Sequence, residues 1–146
     1  MPARDLFHVA VRVGLEKEGW TITADPLKVS FGDKLGDPAD KAEGYIDLAA
    51  EKLLAAELGE RKIAVEIKSF VGHSWTDDFH QALGQFLNYR RALRRQEPER
   101  QLLLAVPLDT YENYFSRWLA QSAIAEHQLK LLVYDAKTEV IVKWME

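Results

Sequence analysis

Apolar residues near the start of the chain recur at Phe7, Ala10, Val11 and Gly14, a stripe with helical spacing that Leu6, Val13 and Leu15 widen. The spacing predicts an amphipathic helix over residues 5–18, with Gly19 as its stop. WTIT at 20–23 is a short β-prone run, and the next twenty residues carry proline, glycine and aspartate turn signals around one strand candidate, LKVSF. YIDLAA at 45–50 reads as a strand that EKLLAAELGE either extends or follows with a helical turn. RKIAVEIKSF at 61–70 is β-branched and alternating, the clearest strand in the sequence. Ser74 followed by Asp77 forms an S-x-x-D cap ahead of Phe79, Ala82, Leu83, Phe86, Leu87 and Leu93, which predicts a helix to about residue 95. LLLAVP at 102–107 is a continuous apolar run of the kind buried on both faces. Asp109 and Glu112 then open a helix running to about residue 126, and LKLLVYD and EVIVKW close the chain as a pair around Asp135-Ala136-Lys137.

The order α, β, β, β, α, β, α, β, β implies an α/β fold, a central mixed sheet flanked by helices. A chain of 146 residues fits one domain spanning 1–146. Composition changes this picture little: 47% hydrophobic and 29% charged residues are ordinary for a folded protein. The absence of cysteine rules out disulfides, thiolate zinc sites and a cysteine nucleophile. No export signal and no run of ~18 apolar residues is present, so a cytoplasmic protein without a membrane span is expected. A net charge of -4 means that any contact with nucleic acid must come from a local patch. Phosphate-loop, dinucleotide and hydrolase-elbow motifs are missing, and the four histidines show no H-E-x-x-H spacing.

Chemistry concentrates on the 61–70 strand. Alternation puts Ile63, Val65 and Ile67 on one face and Ala64, Glu66 and Lys68 on the other. An E-x-K pair on a strand can be an exposed ion pair worth under ~1 kcal/mol. Asp47, set among Tyr45, Ile46 and Leu48 on the preceding strand, adds a second carboxylate that converges on Glu66 if the strands pair. Two carboxylates suit Mg²⁺, which keeps waters and phosphate oxygens as its other ligands, and a neighbouring lysine can serve an attacking water. On the following helix Gln81, Gln85 and Tyr89 form a polar seam at i, i+4, i+8, either a phosphate contact or a hydrogen-bonded helix edge. Arg90, Arg91, Arg94 and Arg95 cluster in its last turns, where they complement the helix dipole or supply a phosphate-backbone contact through Arg90 and Arg94. Ser69 and His73 lie close enough to the strand to line the same pocket.

Asp47 with Glu66-Ile67-Lys68 on adjacent strands, followed by a glutamine-bearing helix, resembles the PD-(D/E)xK nuclease superfamily. GYIDLAAEKLLAAE, KIAVEIKSFVG, FHQALGQFLNYR, LLLAVPLDTYE and LKLLVYDAKTEVIVKW are similar to the XisH family, the excision controlling factors of the fdxN element in filamentous cyanobacteria. The resemblance runs from residue 5 almost to the C-terminus and implies a restriction-endonuclease-like core with its site on the mixed sheet. It implies Asp47 and Glu66 as ligands of Mg²⁺ or Mn²⁺, Lys68 and Gln81 as catalytic partners, and DNA as substrate. Two positions depart from the pattern. Ile46 stands where the motif name has proline, and His8 stands where many relatives carry a metal-binding glutamate, with Val11, Leu15 and Gly19 keeping that frame. An imidazole in that place is either a ligand that favours Mn²⁺ over Mg²⁺ or a histidine at the border of the apolar stripe.

Two functions of different class follow from the resemblance. One is a metal-dependent DNA endonuclease, with a homodimer the arrangement for cutting both strands. The other is a non-catalytic module of the same fold that binds a companion protein, XisI, and regulates a separate recombinase.

Overall fold

The computed structural model describes residues 3–37, 39–53 and 59–146. Helix α1 covers Ala3–Lys17 and is followed by strands β1 (Thr21–Ala24) and β2 (Leu27–Ser30). Strands β3 (Glu43–Ile46), β4 (Leu48–Leu53) and β5 (Glu60–Ile67) lead to helix α2 (Trp75–Gln96). Strand β6 (Gln101–Pro107), helices α3 (Leu108–Tyr114) and α4 (Trp118–His127), and strands β7 (Leu131–Asp135) and β8 (Val140–Met145) complete the order. The segment expected either to extend β4 or to turn helical lies, at 54–58, outside the described residues. No helix among the described residues is long and apolar enough to cross a membrane.

One six-stranded sheet runs β1-β4-β5-β6-β7-β8, and β2 and β3 form a separate antiparallel pair. The large sheet is mixed as expected: β5, β6 and β7 are parallel, while β1–β4, β4–β5 and β7–β8 are antiparallel. Helices cover both faces, and strand alternation sorts the central residues between them. Ile63, Val65, Leu103 and Ala105 pack beneath Ala10, Val11 and Leu15 of α1. Ala64, Leu102, Leu104 and Val106 pack beneath Phe79, Ala82, Phe86 and Leu93 of α2. The apolar run of β6 is therefore continuous because each of its faces meets a helix.

Three expectations needed revision. The 45–50 run is two strands, broken at Asp47. Ile46 belongs to the α2-side core and Leu48 to the α1-side core, although residues two apart on a regular strand share a face. The pleat must turn over at Asp47, and β3 leaves the large sheet to pair with β2. The helix expected from residue 109 to 126 is interrupted after Tyr114. Its opening residue is Pro107 without a side-chain cap, and Asp109 Oδ1 instead accepts from the Thr110 amide at 2.8 Å. By contrast, Ser74 caps α2 as its sequence implied, its hydroxyl accepting from the Asp77 amide at 3.2 Å.

Candidate active site

The break at Asp47 builds the centre of the site. Leu48 pairs with Val65, so Asp47 would next pair with Glu66 if the ladder continued. Side chains replace the missing ladder bonds. The Ile67 amide donates to Asp47 Oδ2 at 2.7 Å, and the Asp47 amide donates to Glu66 Oε1 at 3.3 Å. Each acidic residue is thus held through the other's strand. Glu66 is 9% exposed, on a central strand rather than the solvent-facing edge where an E-x-K ion pair would sit. Burial, then the charge of Asp47, push the Glu66 carboxyl up to about 9, with Lys68 acting in the opposite sense. Burial therefore favours the protonated form of Glu66 at neutral pH when no cation is bound.

Lys68 lies one residue past β5, where its amide still donates to Ala105 on β6 at 3.2 Å. Its ammonium donates to Gln81 Oε1 at 2.7 Å, which fixes a flexible side chain against α2. Gln85 and Tyr89 continue that seam. Burial and the nearby Glu66 and Asp47 charges push the Tyr89 hydroxyl above its usual range. A cleft of about 370 Å³ gathers Asp47, Glu66, Lys68, Gln81, Gln85, Tyr89 and His8, with Phe7, Tyr45, Ile67 and Ser69 completing its walls. His73 is exposed and is not among the residues lining it.

His8 lines the cleft but is held from behind. Its Nε2 lies 2.8 Å from Asp25 Oδ1, and Arg12 Nη1 donates to Asp25 Oδ2 at 2.5 Å. Hydrogen bonds from His8 and Arg12 lower the Asp25 carboxyl against the opposing effect of its burial. Asp25 escaped the sequence reading, because it stands in a turn-rich segment and no spacing rule links it to His8. A carboxylate behind a histidine fixes the ring's tautomer and orientation, as it does for histidines that ligate metals. Glu16 and Glu18 are engaged elsewhere, with Arg12 and with the Trp144 indole respectively.

Arg90 and Arg94 are not in this cleft. They line a separate cavity of about 670 Å³ together with Gln101 and Leu102, which open β6. Because β5 and β6 are parallel, that cavity lies at the end of the sheet opposite Glu66. Arg90 Nη1 donates to the His127 carbonyl at 2.7 Å, satisfying the last turn of α4.

Two carboxylates form the acidic donor set, and no group of three or more His, Cys, Asp or Glu able to hold a metal occurs among the described residues. Asp47 and Glu66 fit Mg²⁺ or Mn²⁺ on that count, since such ions are bound through one or two carboxylates with water and phosphate oxygens supplying the rest. Both carboxylates line the same cleft, and each is held in place by a backbone amide.

The model of the XisH protein family matches residues 1–142. The fold is similar to the crystal structure of an XisH family protein from Nostoc punctiforme PCC 73102, at 46% sequence identity and a TM-score of 0.82, covering 97% of this chain and 100% of that one. It is equally similar to an fdxN element excision controlling factor protein from Anabaena variabilis, with 46% identity, a TM-score of 0.82 and coverage of 98% and 100%. No curated protein matches the chain. With nearly its whole length matched by the family model, the chain belongs to the XisH family.

Proposed function

We propose that this protein is a divalent-metal-dependent DNA phosphodiesterase of the PD-(D/E)xK type that acts in controlling excision of a DNA element. The observation that carries the reading is the reciprocal lock between Asp47 and Glu66, set beside a lysine that a glutamine holds in place. Asp47 and Glu66 would hold Mg²⁺ or Mn²⁺, which supplies an acidified water and charge neutralisation on the phosphodiester. Glu66 would have to give up its proton to solvent to hold the ion, which its raised pKa makes pH-dependent. Lys68 places a positive charge where negative charge develops on the phosphate, and Gln81 keeps the ammonium from folding back on Glu66. The excision role is carried over from the Anabaena variabilis relative, an fdxN element excision controlling factor.

The second reading is a non-catalytic module that binds an XisI-like partner and regulates a recombinase. It is favoured by His8, which is committed to Asp25 where a third metal-binding carboxylate is expected, and by the net charge of -4. A cleavage assay on plasmid and oligonucleotide DNA with Mg²⁺ or Mn²⁺ decides between them. The expected result is cleavage by the wild type that Glu66→Gln and Asp47→Asn abolish. Cleavage unchanged in both variants sinks the metal-site mechanism, whereas no wild-type cleavage and no calorimetric metal binding make the second reading the better account.

A further inference from the structure

The polar seam of α2 does not end at the cleft. Tyr89, which lines the cleft, stacks on Phe31 with ring centroids 5.7 Å apart and planes 10° from parallel. Phe31 follows β2 and is 40% exposed, so the stack covers one ring face and leaves much of the rest open. Gly44 of β3 makes the arrangement possible. A Cβ there would lie 2.7 Å from Phe31 and 3.0 Å from Tyr89, so the absence of a side chain lets both rings approach the β2–β3 pair. Tyr45, 51% exposed and lining the cleft, adds an aromatic ring beside it.

Beyond Phe31 the surface turns basic. A third concavity, of about 380 Å³, is lined by Ser30, Phe31, Asn88, Arg91, Ala92 and Arg95. Arg95 is anchored to the Ser30 carbonyl at 3.1 Å and feels the charge of Asp40. Arg91 is held to Asn88 Oδ1 and has no carboxylate partner among the described residues. From Gln81 to Arg95 the helix rises about 21 Å at ~1.5 Å per residue, enough for several nucleotides. Aromatic faces alternating with cations are how proteins hold unpaired nucleic-acid strands, each base stacking and each phosphate meeting a charge.

We infer that Phe31, backed by Tyr89, is a stacking platform for an unpaired base, and that Arg91 and Arg95 hold the phosphates beyond it, so the ligand entering the cleft is a single-stranded nucleic acid segment. This rests on the reading of the cleft as a phosphodiesterase site but is tested separately from it. The outward face of a stacked pair is a poor fit to a base-paired duplex, whose bases are already stacked.

The experiment is fluorescence anisotropy with labelled oligo-dT and a duplex of equal length, in Ca²⁺, together with calorimetry of Mn²⁺ binding. Wild type is expected to prefer oligo-dT. Phe31→Ala should weaken that binding roughly 5- to 150-fold, Phe31→Trp should preserve it, and Arg91→Glu should weaken it and flatten its salt dependence. Mn²⁺ affinity should not change in any of the three. Thermal melts check folding, and Phe31→Leu, which keeps apolar volume without an aromatic face, should behave as Phe31→Ala if stacking is the cause. Unchanged oligo-dT affinity in Phe31→Ala and Phe31→Leu, or a wild type that prefers the duplex or binds neither probe, overturns the platform. Loss of Mn²⁺ binding or of cleavage alone counts against the metal site and leaves the platform standing if the oligo-dT pattern holds.

Discussion

Glu66 is the residue on which the proposed site turns, because one carboxyl group would link folding, protonation and the binding of a cation. Its folded pKa is about 9 against an ordinary 4.5, so the native protein holds a proton that the unfolded chain releases in between. Stability from this group is fully present below about 4.5 and is lost as pH rises towards about 9. In EDTA, the thermal midpoint of the wild type is therefore expected to fall between pH 5 and pH 9. Glu66→Gln, uncharged at every pH and close in shape, should remove most of that slope. Melts of the two proteins across this range test it, and parallel curves would show that the buried carboxyl does not carry the pH dependence. The placement of Glu66 beside Lys68 was legible in the sequence, since strand alternation alone put the two on one face, and both line the cleft. The depth of its burial was not, because that depends on β6 pairing beside it, a contact between segments nearly forty residues apart.

At the scale of elements, local signals set what was readable. The α2 cap, the alternation of β5 and the apolar run of β6 depend on neighbours within a few residues, and the structure keeps each of them. The break at Asp47 could not be read that way. YIDLAA has nothing that marks a boundary; the strand divides because its halves join different sheets and different cores. Asp25 behind His8, and the separation of Arg90 and Arg94 from the cleft, likewise follow from packing between distant segments. Arg100 shows the same kind of long-range control. It is 7% exposed, donates to the Ile63 carbonyl at 3.0 Å, and lies between Glu51 at 2.9 Å and Glu97 at 3.2 Å. One guanidinium thus ties the α2–β6 turn to β4 and β5, the strands that flank the site. Arg100→Met leaves the carbonyl unpaired and two carboxylates without their cation. Both carboxylates keep some contact with water, so the loss should sit near the lower end for a broken buried pair, about 3 kcal/mol in urea unfolding. Arg100→Lys should recover only part of it, since an ammonium cannot span the same fork.

For the whole molecule, Asp47 is the point where the six-stranded sheet hands the chain to the β2–β3 pair. The pair otherwise leans on α2, through Val29 and Ile46 in the core and through Gln96 Nε2, which donates to the Lys28 carbonyl at 2.9 Å. A cation held by Asp47 and Glu66 would bridge the end of β3 to the centre of the large sheet and should tighten the molecule across this seam. A ligand that binds only the folded state stabilises it by about 2.7 kcal/mol at a hundred times its Kd. Glu66 must ionise to bind, so Mn²⁺ or Mg²⁺ should raise the thermal midpoint more at pH 8.5 than at pH 6. The metal-free protein weakens over that same interval, so the two trends diverge and the difference between metal and EDTA curves widens with pH. Hydrogen exchange should slow at the Asp47 and Ile67 amides and across β2–β3, with the far end of the sheet near Arg90 unaffected. Glu66→Gln should show neither the shift nor the protection. An equal metal-induced rise in Glu66→Gln would place the cation elsewhere, and protection confined to the opposite end of the sheet would point to the cavity around Arg94 and Arg100 instead.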